Sequence, residues 1–100
     1  MLVSKKEKGG LIVKLVKKIK VSNDLGLHTR PAALIVKLLQ GAQSDVFFTH
    51  RRETINAKSI LSILMLAAKK NSCITITIDG QDAKPTMDKL VEAFESGFGE

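Results

Sequence analysis

The chain of 100 residues contains one cysteine, two prolines, four phenylalanines, and neither tryptophan nor tyrosine. A single cysteine excludes an internal disulfide framework and a zinc site built on several thiolates, and it fits a reducing compartment. So few aromatics leave little on which nucleic-acid bases could stack. No apolar run approaches a membrane span. The Lys-rich start interrupts any hydrophobic stretch short of a secretory signal, and no small-residue cleavage site follows. What remains is ordinary globular composition, 44% apolar and 26% charged, in a chain long enough for one domain.

The net charge of +6 points at first to nucleic acid or an anionic membrane. Its distribution argues otherwise. Residues 1–20 hold seven lysines and one glutamate, whereas residues 21–100 hold nine basic and nine acidic side chains. The basicity therefore belongs to the first fifth of the chain, and the body is electroneutral. Residues 1–13, interrupted by Gly9-Gly10, are expected to form a basic flexible arm, either a solvated tail or an electrostatic docking arm. Residues 14–100 are expected to form the domain.

Within that body, Lys14–Val21 places Leu15, Ile19 and Val21 on one parity, the mark of a half-buried strand. Asn23-Asp24-Leu25-Gly26 is a turn signal. Thr29–Gln40 is a predicted helix: Pro31 fits its first turn, Ala32, Ile35, Val36 and Leu39 form one stripe, and Gly41 stops it. Val46–Thr49 and Thr54–Asn56 form a hairpin around the charged tip His50–Glu53. Ser59–Leu66 is a second helix. Cys73–Ile78 alternates as a strand closed by Asp79-Gly80, and Pro85–Ser96 is a third helix. The order β-α-β-β-α-β-α lets all helices cover one face of a four-stranded sheet, and Thr75 and Thr77 suit an opposite face in water. Cys73 is expected to be a small buried apolar residue.

Gly26-Leu27-His28-Thr29-Arg30-Pro31-Ala32-Ala33 carries the chemistry. His28 stands where unpaired N–H groups and the positive end of a helix dipole converge, a site suited to phosphate. The same potential disfavours imidazolium and preserves a nucleophilic ring nitrogen. Arg30 can supply a second positive charge to phosphoryl oxygens. This equipment suits phosphoryl transfer, and no neighbouring acid or base suggests multistep hydrolysis.

The same eight residues resemble the active-site segment of HPr, the histidine phosphocarrier of the bacterial sugar phosphotransferase system. Asn56-Ala57-Lys58-Ser59-Ile60 resembles that family's regulatory segment, and Gly97-Phe98-Gly99-Glu100 a common family ending. The resemblance covers roughly residues 14–100. It implies an α+β fold, a two-layer open-faced sandwich with a four-stranded antiparallel sheet in the order 1-4-2-3. It implies that His28 takes a phosphoryl group on Nδ1 from phosphorylated enzyme I, originally from phosphoenolpyruvate, and passes it to IIA proteins or domains. Arg30 would stabilise that group. Ser59 would be phosphorylated by HPr kinase/phosphorylase, and Thr29, Ala33, Ile60 and Leu61 would contact partners. The expected protein is a cytoplasmic, monomeric carrier rather than an enzyme, with no cofactor, metal or nucleic-acid partner and no membrane insertion.

From the residues alone, Ser59 is a good N-cap, and a phosphate there is tolerated by the helix dipole. Ile60–Leu66 holds too many apolar side chains for one buried stripe, and Leu34 and Leu38 also fall off the inner stripe of the first helix. These are either a wide core face or an exposed docking patch. Three positions depart from the family pattern. The tip His50–Glu53 lacks glycine, which predicts a longer or differently built turn. Lys69–Ser72 also lacks glycine, and Asn71 could take the left-handed conformation instead. Leu25 occupies a position that is commonly small or polar. His50 is expected to be a surface residue without a catalytic part. Two other functions stay open: a regulator acting chiefly through Ser59, and nucleic-acid binding through the Lys-rich arm.

Overall fold

A computed structural model describes residues 2–7 and 10–100, and the side chains of residues 13–100. The elements are β1 (Leu2–Glu7), β2 (Gly10–Lys20), α1 (Thr29–Leu39), β3 (Asp45–His50), β4 (Glu53–Asn56), α2 (Ile60–Leu66), β5 (Cys73–Gly80) and α3 (Ala83–Glu95), followed by a short 3₁₀ turn at Gly97–Gly99. Strands β2-β5-β3-β4 are antiparallel neighbours, which is the expected order of first, fourth, second and third. Three helices complete the open-faced sandwich.

β1 adds a fifth strand on the free edge of β2, with Leu2 opposite Leu15 and Glu7 opposite Gly10. The expected boundary at residue 13 thus falls inside β2. Val13 continues the inward parity of Leu15 and Ile19 and packs against the core, so the ladder reaches further back than the lysines suggest.

The core follows from alternation. Ile74, Ile76 and Ile78 of β5 are fully buried, and they lie in register with Ile19 and Leu15 on one side and Phe48 and Val46 on the other. Ile35 and Leu39 of α1, Ile63 of α2, and Leu90 and Phe94 of α3 close over them. Each fully buried aliphatic side chain contributes roughly 1.5–3 kcal/mol of transfer free energy. Phe94 meets Phe48 edge-on at 5.8 Å and Phe98 at 4.9 Å, which ties the chain end to the sheet.

Cys73 departs from the expectation of burial: it is exposed. It shares parity with Thr75 and Thr77, not with the buried isoleucines, so the strand's own alternation turns the thiol outward. The hairpin tip also departs from expectation. His50 pairs with Glu53, leaving a two-residue turn in which Arg51 (φ 49°) and Arg52 (φ 69°) both take positive φ. This is the tight turn normally built from Asn-Gly, imposed here on two arginines by strand register. Asn71 does adopt the left-handed conformation (φ 72°), as expected. α3 starts two residues before Pro85, whose missing N–H falls within the unpaired first turn. Its N-cap, Asp82, does not cap the helix; its carboxylate takes hydrogen bonds from the Ser44 hydroxyl and from the Gln43 and Ser44 amides, anchoring the loop before β3. No described helix is long and apolar enough to cross a membrane.

Candidate functional site

The turn before α1 is fixed from several sides. Gly26 donates to the Asn23 carbonyl and His28 to the Gly26 carbonyl, at 3.2 and 2.9 Å. Gly26 has φ +67°, and a Cβ there would run into the Ala68 carbonyl oxygen and the Lys69 Cα, so only glycine fits. The buried Leu27 donates its N–H to the same Ala68 carbonyl at 2.9 Å. His28 is delivered in extended conformation as the N-cap of α1, and its side chain does not cap the helix. Pro31 has no N–H, and the Ala32 N–H bonds the His28 carbonyl. Thr29 and Arg30 therefore carry the first-turn N–H donors that helix geometry leaves unpaired.

The ring is held by the chain end. His28 Nε2 lies 2.7 Å from Glu100 Oε2, and Glu100 Oε1 accepts from Asn23 Nδ2 at 2.8 Å. A carboxylate can only accept, so Nε2 carries the proton and Nδ1 keeps the lone pair of the neutral ring. The two side chains are 31% and 17% exposed, accessible to a partner yet shielded enough for the contact to orient the ring. The Asn23 hydrogen bond, then the contacts with His28 and the field of Arg30, hold the Glu100 carboxyl below the usual carboxylate range. Arg30, Asn23, Ser96 and Glu100 border a shared concavity of about 560 Å³. Asn23 is buried, its Nδ2 also bonds the Gly26 carbonyl at 2.7 Å, and its Oδ1 is buried without a hydrogen-bond partner among the described residues.

His28, Thr29 and Arg30 follow one another at the start of α1, and Asn23 and Glu100, to which the sequence pattern gives no role at the site, join them through the His28–Glu100–Asn23 contacts. The available signal was Gly97-Phe98-Gly99. Phe98 is buried against Phe94, and glycines with positive φ on either side let the chain double back and place Glu100 on the ring.

Ser59 sits at the N-cap of α2, as its sequence context predicts, and its Oγ accepts from the Ser62 N–H at 3.2 Å. α1 and α2 pack on each other, and Ala33, Leu34, Ile60, Leu61 and Met65 are exposed on them. Leu61 and Met65 are 67% and 70% exposed, so the apolar excess of α2 is not a wide core face. Leu25, 73% exposed, stands on the turn before His28. His50 is half-buried at the end of β3, its Nδ1 3.4 Å from the Cys73 carbonyl oxygen. Among the described residues no group of His, Cys, Asp and Glu converges as a metal site.

A family described as the PTS HPr component phosphorylation site matches residues 15–96. The chain belongs to the HPr family. It is 50% identical over 80 residues to the phosphocarrier protein HPr of Chlamydia pneumoniae and 49% identical to that of Chlamydia muridarum, covering 80% of this chain and 74% and 77% of those proteins. Among solved structures it matches HPr of Thermoanaerobacter tengcongensis with a TM-score of 0.83 at 32% identity, over 86% of this chain and 97% of that one. HPr of Bacillus anthracis matches with a TM-score of 0.77 at 38% identity, over 81% and 96%. HPr proteins are phosphocarriers of the phosphotransferase system rather than catalysts in their own right, and the family implies enzyme I and IIA proteins as partners.

Proposed function

We propose that His28 accepts a phosphoryl group on Nδ1 from phosphorylated enzyme I and passes it to a IIA protein or domain. The observation that carries this reading is the Glu100 carboxylate on Nε2, which leaves Nδ1 as the nucleophile at the N-cap of α1, two residues before Arg30. The Nδ1 lone pair forms the new P–N bond as the bond from phosphorus to the donor breaks. The proton stays on Nε2, so the ring becomes a phosphorylated imidazolium whose charge the Glu100 carboxylate stabilises. The phosphoryl oxygens meet the Arg30 guanidinium and the N–H groups of Thr29 and Arg30. Return of the electron pair to Nδ1 releases the group to the next acceptor. No metal or cofactor enters these steps.

Enzyme I with phosphoenolpyruvate should add one phosphate, seen by intact mass, that is acid-labile and base-stable. His28→Ala should take none; undiminished label in that variant would sink the assignment. Arg30→Ala should slow transfer roughly a hundredfold.

Partners dock on Thr29, Ala33, Ile60 and Leu61, the exposed positions next to His28 and on the adjoining α2. Ser59, at the head of α2, is the regulatory acceptor for HPr kinase/phosphorylase. A phosphate there faces a helix N-terminus and puts negative charge beside Ile60 and Leu61, changing docking without refolding. Kinase and ATP should give acid-stable label that Ser59→Ala loses; an unlabelled wild type ends the regulatory reading. The carrier works as a cytoplasmic monomer, and gel filtration across micromolar concentrations tests the monomeric state.

A further inference from the structure

A second group of cations lies between the β3–β4 tip and the α2–β5 loop. His50, Arg51, Lys69, Lys70, Asn71 and Ser72 border a concavity of about 360 Å³, and no carboxylate borders it. Lys70 is shared with Asp24 at 2.7 Å. Arg51 and Lys69 have no carboxylate within ion-pair distance among the described residues. Ser72 Oγ accepts the Lys69 N–H at 3.1 Å, which leaves its own proton free to donate.

Arg51, Ala67 and Asn71, all on its border, have positive φ of 49°, 53° and 72°. Ala67 is the left-handed C-cap that ends α2 and asparagine tolerates that conformation, so the strain lies at Arg51. That conformation is disfavoured for residues carrying a side chain, and the two-residue tip would be relaxed as Asn-Gly. Keeping guanidinium groups there is a pattern associated with sites.

The structure assigns this concavity as a binding site for a phosphate monoester, with the dianion between Arg51, Lys69 and Lys70 and the organic part against Asn71 and Ser72. Three cations suit a dianion with three terminal oxygens better than a singly charged carboxylate. The space matches a small molecule, and no phenylalanine, tyrosine or tryptophan borders it. An occupant competes with Asp24 for Lys70. It thereby touches the turn that carries His28, which the same loop supports through the Leu27–Ala68 and Val21–Ser72 hydrogen bonds.

The test is residue-resolved amide NMR of the full chain, titrated separately with inorganic phosphate, glycerol 3-phosphate and sodium chloride at matched ionic strength. Both phosphates should give saturable shifts at Arg51, Asn71 and Ser72, half-complete on the order of 1 mM. Tighter binding of the ester assigns the organic part a share; equal binding assigns the site to the phosphate group alone. Arg51→Gly keeps the turn and should weaken binding about tenfold, while Arg51→Lys should largely restore it. Shifts reproduced by chloride, shifts confined to Thr29 and Arg30, or unchanged affinity in Arg51→Gly each overturn the assignment.

Discussion

Glu100 Oε2 and His28 Nε2 are 2.7 Å apart although 72 positions separate them in the chain. The contact decides which ring nitrogen bears the proton. In Glu100→Ala, nitrogen NMR of the unphosphorylated neutral ring should show a mixture of tautomers in place of the Nε2–H form. Transfer from phosphorylated enzyme I should slow by roughly three- to tenfold through kcat, with KM little changed. An unaltered tautomer ratio at full rate would remove Glu100 from the mechanism.

That contact also marks where sequence pattern stops being informative. α1 is legible because Ala32, Ile35 and Leu39 repeat at helical spacing, and β5 because isoleucine alternates with threonine. Ser59 is legible as a cap because capping is a local interaction. Glu100 is not, since its role depends on where the whole fold puts the chain end. Cys73 shares the alternation that turns Thr75 and Thr77 to the outer face, and its residue type points the other way. The hairpin tip shows register overriding turn preference: two arginines occupy positions that local propensity reserves for asparagine and glycine.

Leu61 and Met65 offer a test of docking that leaves the fold alone. Both side chains are mostly exposed, so Leu61→Ala and Met65→Ala should change unfolding free energy by no more than about 0.5 kcal/mol. The Leu61 variant should nonetheless raise the KM for the carrier in the enzyme I reaction by roughly three- to tenfold. A KM unchanged in both variants would place the interface elsewhere.

Asp82 predicts an acid limb of stability. The Ser44 hydroxyl, then the Gln43 amide, hold its carboxyl below the usual carboxylate range. A depressed value in the folded state means that stabilisation is present above the unfolded value. It is lost as pH falls from about 4 through the folded value. Asp82→Asn should cost about 1 kcal/mol at pH 7. Urea unfolding should show the gap to wild type closing as pH falls below the ordinary carboxylate range; a gap independent of pH would mean the charge is irrelevant there.

Replacing Arg51-Arg52 by Asn-Gly should stabilise the fold by about 1 kcal/mol, because both positions already have positive φ. Thermal unfolding checks it. A lower midpoint would show that the arginine side chains contribute more than their backbone costs.

The lysines of β2 have a directional effect. Lys14, Lys18 and Lys20 project from the sheet face that no helix covers, while His28 begins a helix on the other layer and Leu61 and Met65 lie on α2. Asp45 and Asp79 share that face, with Asp79 opposite Lys14 in the ladder, so the positive charge of its described residues is concentrated at Lys18 and Lys20, the end of β2 from which the chain turns toward His28. An anionic film should hold the molecule by that end of the sheet.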